Sequence, residues 1–299
     1  MEIKLLAADS MGTRSMATFV KTDDVAIMID PGVALGPSRY GLPPHALEIE
    51  RLEMHWNRIA EWTKQADVIF VTHYHYDHHN PDHVELYEGK EVFLKHPTEN
   101  INRSQRERAS YFIERLKGIP KKLEFAEGRS LTYGNTRIEL SKAVFHGTNS
   151  RLGFVFEIFI DDGKETFLFT SDVEGPAIDD QVQFIFDHAP DILYVDGPMT
   201  YMLGFRYSRK NFEKSIENLV RLIEEVKLKK LVLEHHLLRD LKWREKMAPV
   251  FEAGQRYGTQ VISAAEFMGE PEDLLEARRK ELYKLYPSRP RKQLNLPAE

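Results

Sequence analysis

The chain contains no cysteine. That excludes disulfides, thiolate metal sites and cysteine nucleophiles, so any metal must be held by His, Asp or Glu. Long apolar runs are also missing. The densest stretch, residues 154–160, is broken by Glu157 and is of strand length, well short of the roughly 18 residues that a membrane-spanning helix needs. The N-terminal MEIKLLAADSMG has no apolar core behind basic residues and does not read as a secretory signal. Positive charge is in deficit: 41 Lys and Arg stand against 47 Asp and Glu, a formal net charge of -6. Bulk charge therefore does not favour nucleic acid as a partner. Fixed-period repeats and low-complexity segments are absent too. The expectation is a cytoplasmic protein with no membrane partner.

What is present is ordinary globular composition: 299 residues, 42% hydrophobic and 29% charged, enough to bury a sizeable core. Abundant Lys and Glu without Cys hint at a thermophile. Periodicity predicts strands over 2–8, 18–22, 25–30, 67–73 and 91–96, then four more over 122–126, 136–144, 153–160 and 165–171. Helices are predicted over 100–117 and over 45–65, where Leu47, Leu52, Trp56, Ile59 and Trp62 gather apolar surface on one face. Further on, helices over 178–188, 208–226 and 241–257 alternate with strands over 192–196, 230–234 and 260–263. No linker composition divides the β-rich first half from the alternating second half. One domain over 1–299 is expected, with two packed sheets, helices outside, and a C-terminal helix and proline-bearing tail at about 270–299.

Five places set chemistry-bearing residues at the end of a predicted strand, where rigid scaffolds present functional groups. The first is His73-Tyr74-His75-Tyr76-Asp77-His78-His79, after the apolar run Val68–Val71. In an extended segment His73 and His75 point to one side. Three imidazoles and a carboxylate within six residues make a ligand set for Zn²⁺ or a similar ion. The alternative, a solvated histidine-rich loop, would crowd imidazoles that repel once protonated. The other places are His146 before Gly147, Asp172 after an apolar strand, His235-His236 after Lys230–Glu234, and Asp30 before Pro31-Gly32. Taken alone, each of these also reads as a turn, cap or packed residue.

In order, the five places resemble the five motifs of the metallo-β-lactamase superfamily, over roughly residues 1–265. The His73-x-His75-x-Asp77-His78 cluster is the specific element. The stretches Asp30-Pro31-Gly32-Val33-Ala34-Leu35 and Glu234-His235-His236-Leu237-Leu238-Arg239-Asp240 resemble an archaeal and thermophile branch, from which no substrate carries over. The resemblance implies an α/β fold, a four-layer αββα sandwich with a metal site along one edge of the two sheets. It implies His73, His75 and His146 on one metal and Asp77, His78 and His235 on a second, with His236 the fallback for His235. Asp172 would bridge the two, and Asp30 would fix a ligand from behind by hydrogen bonds. It implies two divalent ions, zinc favoured and Mn²⁺ or Fe²⁺ as alternatives. The activity implied is a binuclear hydrolase in which a metal-bridging hydroxide attacks a carbonyl or phosphoryl centre. Asp77 would orient that hydroxide or accept its proton. Small-molecule or short phosphodiester substrates come slightly before esters, thioesters and lactones, because twin cations suit phosphoryl oxygens. A non-catalytic, metal-dependent nucleotide or RNA binder is the alternative. Redox iron is disfavoured because His75 stands where the oxygen-reducing branch carries Glu. The oligomeric state is left open.

Two loops flank these motifs. In the loop over 32–44, Arg39 and Tyr40, with His45 beyond it, either reach over the metals as a lid or belong to an ordinary proline-stiffened surface loop. The aromatic-rich stretch 197–207 either lines a substrate pocket or packs. Arg206 and Arg239 are candidate anion binders. The basic face of the helix near 102–122 is of the kind that is usually just solvated.

Overall fold

In a computed structural model of the protein, which describes residues 1–287, six strands form one sheet in sequence order: β1 (Glu2–Leu5), β2 (Thr18–Lys21), β3 (Ala26–Ile29), β4 (Val68–Val71), β5 (Glu91–Leu94) and β6 (Lys122–Phe125). β1 to β3 pair antiparallel, and β3 to β6 pair parallel. Parallel neighbours need crossovers; α1 (Ala46–Lys64) joins β3 to β4, and α2 (Arg103–Leu116) joins β5 to β6. The second half supplies β7 (Ser130–Tyr133), β8 (Thr136–Leu140), the ribbon β9 (Val144–Phe145) and β10 (Phe154–Val155), then β11 (Ile158–Asp161), β12 (Thr166–Phe169), β13 (Ile192–Asp196), β14 (Lys230–Glu234) and β15 (Gln260–Ile262). Apart from the ribbon, these form a sheet ordered β15-β14-β13-β12-β11-β8-β7, parallel from β12 to β15 and antiparallel elsewhere. Its parallel strands are joined by α3 (Asp179–His188), by α4 (Arg209–Val226), and by α5 (Trp243–Lys246) with α6 (Ala248–Tyr257). α7 (Ala264–Phe267) and α8 (Leu275–Leu285) follow.

The period of two along a strand explains the layering. On β4, Val68 and Phe70 enter a core that also holds Ile138, Ile158, Phe167 and Tyr194 of the other sheet. The intervening Ile69 and Val71 pack with Leu52 and Ile59 of α1 and Phe112 of α2. On the second sheet, Leu193 and Val195 of β13 and Leu231 and Leu233 of β14 pack with Ile185 of α3, Leu219 of α4 and Val250 of α6. Central strands that are apolar on both faces thus bury one face against helices and the other against the opposite sheet. The result is the four-layer αββα sandwich.

Local departures from the sequence pattern have physical causes. The strands expected over 136–144 and 153–160 are both interrupted. Ser141 and Glu157 bond each other at the break: Ser141 N donates to Glu157 O at 3.0 Å, and Glu157 N donates to Ser141 Oγ at 2.8 Å. The helix expected over 241–257 is split at Met247, because Pro249 has no backbone donor and sits in the first turn of α6. β7 has no counterpart in the expected elements; its signal is the two-residue Gly134-Asn135 turn into β8. The C-terminal helix begins at Leu275, and the expected tail lies, from residue 288 onward, outside the described residues. Among the described residues no helix is long and apolar enough to cross a membrane.

Candidate metal centre

Parallel strands end side by side, and here the ends carry the ligand-type residues. Asp30 follows β3 and His73 lies just beyond β4, with Ile29 paired to Phe70. Asp172 lies beyond β12, Asp196 ends β13 and His235 follows β14, with Phe169 paired to Tyr194 and Asp196 to Glu234. Three of the turning points are left-handed: φ is 49° at Asp30, 58° at Ser171 and 58° at His235. Non-glycine residues hold that conformation only where their surroundings impose it. Gly32 is required by a close approach, since a Cβ there would lie 2.3 Å from the His79 backbone nitrogen.

Two groups of ligand atoms converge on Asp172. In the first, His75 Nδ1 lies 3.1 Å from His73 Nε2 and 3.2 Å from His146 Nε2. Asp172 Oδ2 lies 3.2 Å from His146 Nε2 and 3.6 Å from His73 Nε2. In the second, His235 Nε2 lies 3.5 Å from Asp77 Oδ2 and 3.4 Å from Asp172 Oδ2. His78 Nε2 lies 3.0 Å from Asp172 Oδ1 and 3.9 Å from Asp77 Oδ1. A tetrahedral ion with ligands ~2.0–2.1 Å away spaces them about 3.3–3.4 Å apart, so both groups have the dimensions of a divalent-cation site. Asp77 Oδ1, Asp172 Oδ1 and His78 Nε2 are buried without a hydrogen bond; the last two are close but poorly aligned. Buried polar atoms are rarely left so, and this all-nitrogen-and-oxygen set suits zinc, manganese or iron. The residues fit divalent metal.

Carboxylates behind the imidazoles fix their orientation, as metal ligands require. Asp30 accepts from Thr72 N at 2.7 Å, Thr72 Oγ1 at 2.6 Å and His78 Nδ1 at 2.8 Å. Asp9 Oδ2 lies 2.8 Å from His235 Nδ1, while its Oδ1 accepts from Arg239 Nε at 2.8 Å. Asp196 accepts from His236 Nδ1 at 3.0 Å. Glu234 accepts from the backbone nitrogens of Ser10, His235 and Ala264 at 2.9, 3.0 and 3.0 Å. Asp9, Asp196 and Glu234 are not among the residues the sequence singles out. Their signal matches that of Asp172: an apolar run ending in an acid.

Burial drives His73 well down and His75 down to about 3, so both are neutral donors. Burial opposes charge on His78 as well, but Asp172, Asp77 and Asp30 outweigh it and raise the group to about 10. His235 is raised in the same way: burial is outweighed chiefly by Asp172, with help from Asp9 and against Arg239. Burial pushes Asp77 up, yet His78 and His235 hold it down to about 2.

The structure brings His73, His75, Asp77, His78, His146, Asp172 and His235 together. His236, the fallback, approaches Asp172 as well, but its Nε2 lies 4.0 Å from Glu174 Oε1 on the cleft wall. A cavity of about 490 Å³ opens over the ligands and is lined by Arg39, Arg206 and Arg239, among others. Tyr40 does not line it. Tyr40 and Gly41 both have positive φ, 58° and 73°, and form a tight turn in which Arg39 and Leu42 exchange backbone bonds. The Tyr40 ring instead packs beside the Arg39 guanidinium, and its hydroxyl donates to Ala277 O on α8 at 3.0 Å. His45 is likewise engaged elsewhere, capping α1 and bonding Tyr286 O at 2.8 Å. The basic segment expected as one helix face is α2 and the chain leading into β6, and its Arg103, Lys117, Lys121 and Lys122 pair with Glu107, Glu114, Glu91 and Glu124.

Over 288 residues the chain is 56% identical to a UPF0282 protein of Korarchaeum cryptofilum, covering 96% of each chain. It is 45% identical to a UPF0282 protein of Sulfurisphaera tokodaii, covering 95% of this chain and 93% of that one. The chain belongs to the UPF0282 family. No protein-family model matches it. In fold, this UPF0282 protein is similar to the metallo-beta-lactamase fold protein YhfI from Bacillus subtilis, with a TM-score of 0.51 at 14% identity over 87% of this chain and 95% of that one. Yeast PDE1 gives 0.51 at 12% identity, over 87% and 96%. CmlA, a diiron beta-hydroxylase from Streptomyces venezuelae, gives 0.53 at 10% identity, over 87% and 52%. These likenesses are of fold: the UPF0282 chain has the metallo-β-lactamase fold.

Proposed function

We propose that this UPF0282 protein is a hydrolase working with two divalent metal ions, zinc favoured. Its preferred substrates are phosphodiesters, small or short, ahead of esters, thioesters and lactones. The observation that carries this reading is the pair of ligand groups on either side of Asp172, which lies 3.0 Å from His78 Nε2, 3.4 Å from His235 Nε2 and 3.2 Å from His146 Nε2, with buried atoms that no hydrogen bond satisfies. His73, His75 and His146 would hold one ion and Asp77, His78 and His235 the other, with Asp172 close to both groups. Bound there, divalent ions would supply Lewis-acid chemistry, polarising a substrate oxygen and making water a better nucleophile near neutral pH. The chain does the rest. Asp30 and Asp9 keep the imidazoles of His78 and His235 turned to the cleft. Asp77, with one oxygen unbonded, orients the attacking water or accepts its proton. Twin cations suit phosphoryl oxygens, which puts phosphodiesters first.

Fold alone does not select hydrolysis. An isothiocyanate hydrolase from Delia radicum gut bacteria and a diiron beta-hydroxylase both share it, at TM-scores of 0.51 and 0.53. The test is elemental analysis of the purified protein, followed by turnover of bis(p-nitrophenyl) phosphate, a thioester and a lactone. Metal with phosphodiester turnover is expected. His75→Ala and Asp172→Ala should abolish turnover while circular dichroism stays that of the parent. Bound metal with no turnover on any of the three would make the protein a metal-dependent binder. Two irons with an oxygen-sensitive spectrum would make it a redox enzyme.

A further inference from the structure

The cleft carries four arginines whose charges are not equivalent. Arg14 pairs with Glu276, Nε to Oε2 at 2.6 Å and Nη2 to Oε1 at 2.9 Å, and Arg239 pairs with Asp9 at 2.8 Å. Arg39 and Arg206 have no carboxylate partner among the described residues. Glu174, another carboxylate of the cleft, lies against His146 and His236, at 3.7 and 4.0 Å.

Arg39 is nevertheless held in place. Its guanidinium carbon lies 4.3 Å from the centre of the Tyr201 ring and 4.8 Å from that of Tyr40. Nη2 donates to Arg239 O at 3.0 Å, and Nε is buried with no hydrogen-bond partner. A guanidinium fixed on aromatic faces keeps its planar fork available and loses little freedom when an oxyanion arrives. A partly desolvated cation without a counter-charge is unfavourable by itself, so an anion that supplies the counter-charge is bound more tightly than by an exposed arginine. Arg206 is exposed on the loop over 197–207 and lines both this cavity and an adjoining one of about 390 Å³.

We propose that Arg39 and Arg206 form a second anion subsite, so that the substrate carries, besides the group presented to the metal ligands, a second phosphate or carboxylate. Only the placement of the first group rests on the metallo-hydrolase reading.

The test is calorimetric titration of the full-length, zinc-loaded protein with three probes. Propylphosphonate has one anionic head. Phosphonopropionate adds a carboxylate, and propylene diphosphonate a second phosphonate. At least one two-headed probe is expected to bind tenfold or more tighter than propylphosphonate, and the better one tells carboxylate from phosphate. Arg39→Gln and Arg206→Gln should each remove most of that gain while leaving propylphosphonate affinity and zinc content unchanged. Arg206 is exposed, so its variant keeps the test open even if Arg39→Gln fails to fold. Equal binding of one- and two-headed probes overturns the subsite, as does a gain that survives in the Arg39→Gln/Arg206→Gln double variant. If propylphosphonate does not bind but a two-headed probe binds in an arginine-dependent way, the subsite stands and the metal reading falls.

Discussion

Arg279 on α8 and Glu48 on α1 meet as a fully buried, two-pronged ion pair, Nε to Oε2 at 2.8 Å and Nη2 to Oε1 at 2.7 Å. The same guanidinium donates to Gly36 O at 2.9 Å and Leu42 O at 3.1 Å. Glu48 Oε2 also accepts from His45 N at 2.8 Å, at the start of α1. One side chain therefore ties the last helix, the first helix and the loop that carries Arg39. The loop over 32–44 is a braced wall of the cleft.

Removing half of such a pair leaves a buried charge with nothing opposite it. Arg279→Met should destabilise the protein by about 3–5 kcal/mol, read as a fall in the urea midpoint. Adding Glu48→Leu should restore most of that loss, since a packed apolar pair replaces a buried ionic one at little cost. A single variant as stable as the parent would show that the pair does not hold the loop.

Asp9 acts on the metal ligands from behind. Its Oδ2 lies 2.8 Å from His235 Nδ1, and removing a carboxylate behind a ligand imidazole weakens metal binding by about 10–100-fold. Asp9→Ala should therefore lose metal to a graded chelator series well before the parent does. Arg239→Met, which removes the other partner of Asp9, should lose far less. Equal retention in Asp9→Ala and the parent would remove Asp9 from the site.

These residues differ in how far the sequence discloses them. Residues 73–78 are legible because four candidate ligands fall within six residues directly after one apolar strand. Asp172 and His235 are legible only through their order along the chain, since a lone acid or histidine at a strand end has several uses. Asp9, Asp196 and Glu234 gain their meaning from parallel registry and from the packing of residues more than 200 positions apart, as in the bond from Ser10 N to Glu234; no local pattern encodes that. Arg39 and Tyr40 look alike as candidates, yet only Arg39 lines the cavity; the Tyr40 ring packs on the Arg39 guanidinium and its hydroxyl bonds Ala277 O on α8.

Metal loading should release protons. His78, raised to about 10, and His235, also raised, are both charged at pH 7 in the metal-free protein. Their contribution to metal-free stability is complete below about pH 6.5 and is lost as pH rises through the folded values. Ligation requires neutral imidazole. Filling the centre at pH 7 should thus expel about two protons, and affinity should rise between pH 6 and 8. Calorimetry in buffers of different ionisation heat measures the count. Release of none would mean that the two imidazoles are already neutral.

Glu157 lies at the strand break with its side chain fully buried and both carboxylate oxygens without a hydrogen bond. Burial pushes its carboxyl well above the ordinary carboxylate range. The folded protein therefore holds its proton to higher pH than the unfolded chain, which ionises above about pH 4.5. The folded state then binds the extra proton, so this group makes stability fall as pH rises. Glu157→Met keeps the length of the side chain and removes the buried polar group. It should stabilise the protein by about 1–3 kcal/mol at pH 8, with the gain shrinking as pH falls toward 4.5. Urea unfolding of parent and variant at pH 4.5, 6 and 8 measures this; a gain independent of pH, or a loss at pH 8, would mean that the Glu157 carboxylate is charged and satisfied in the native state.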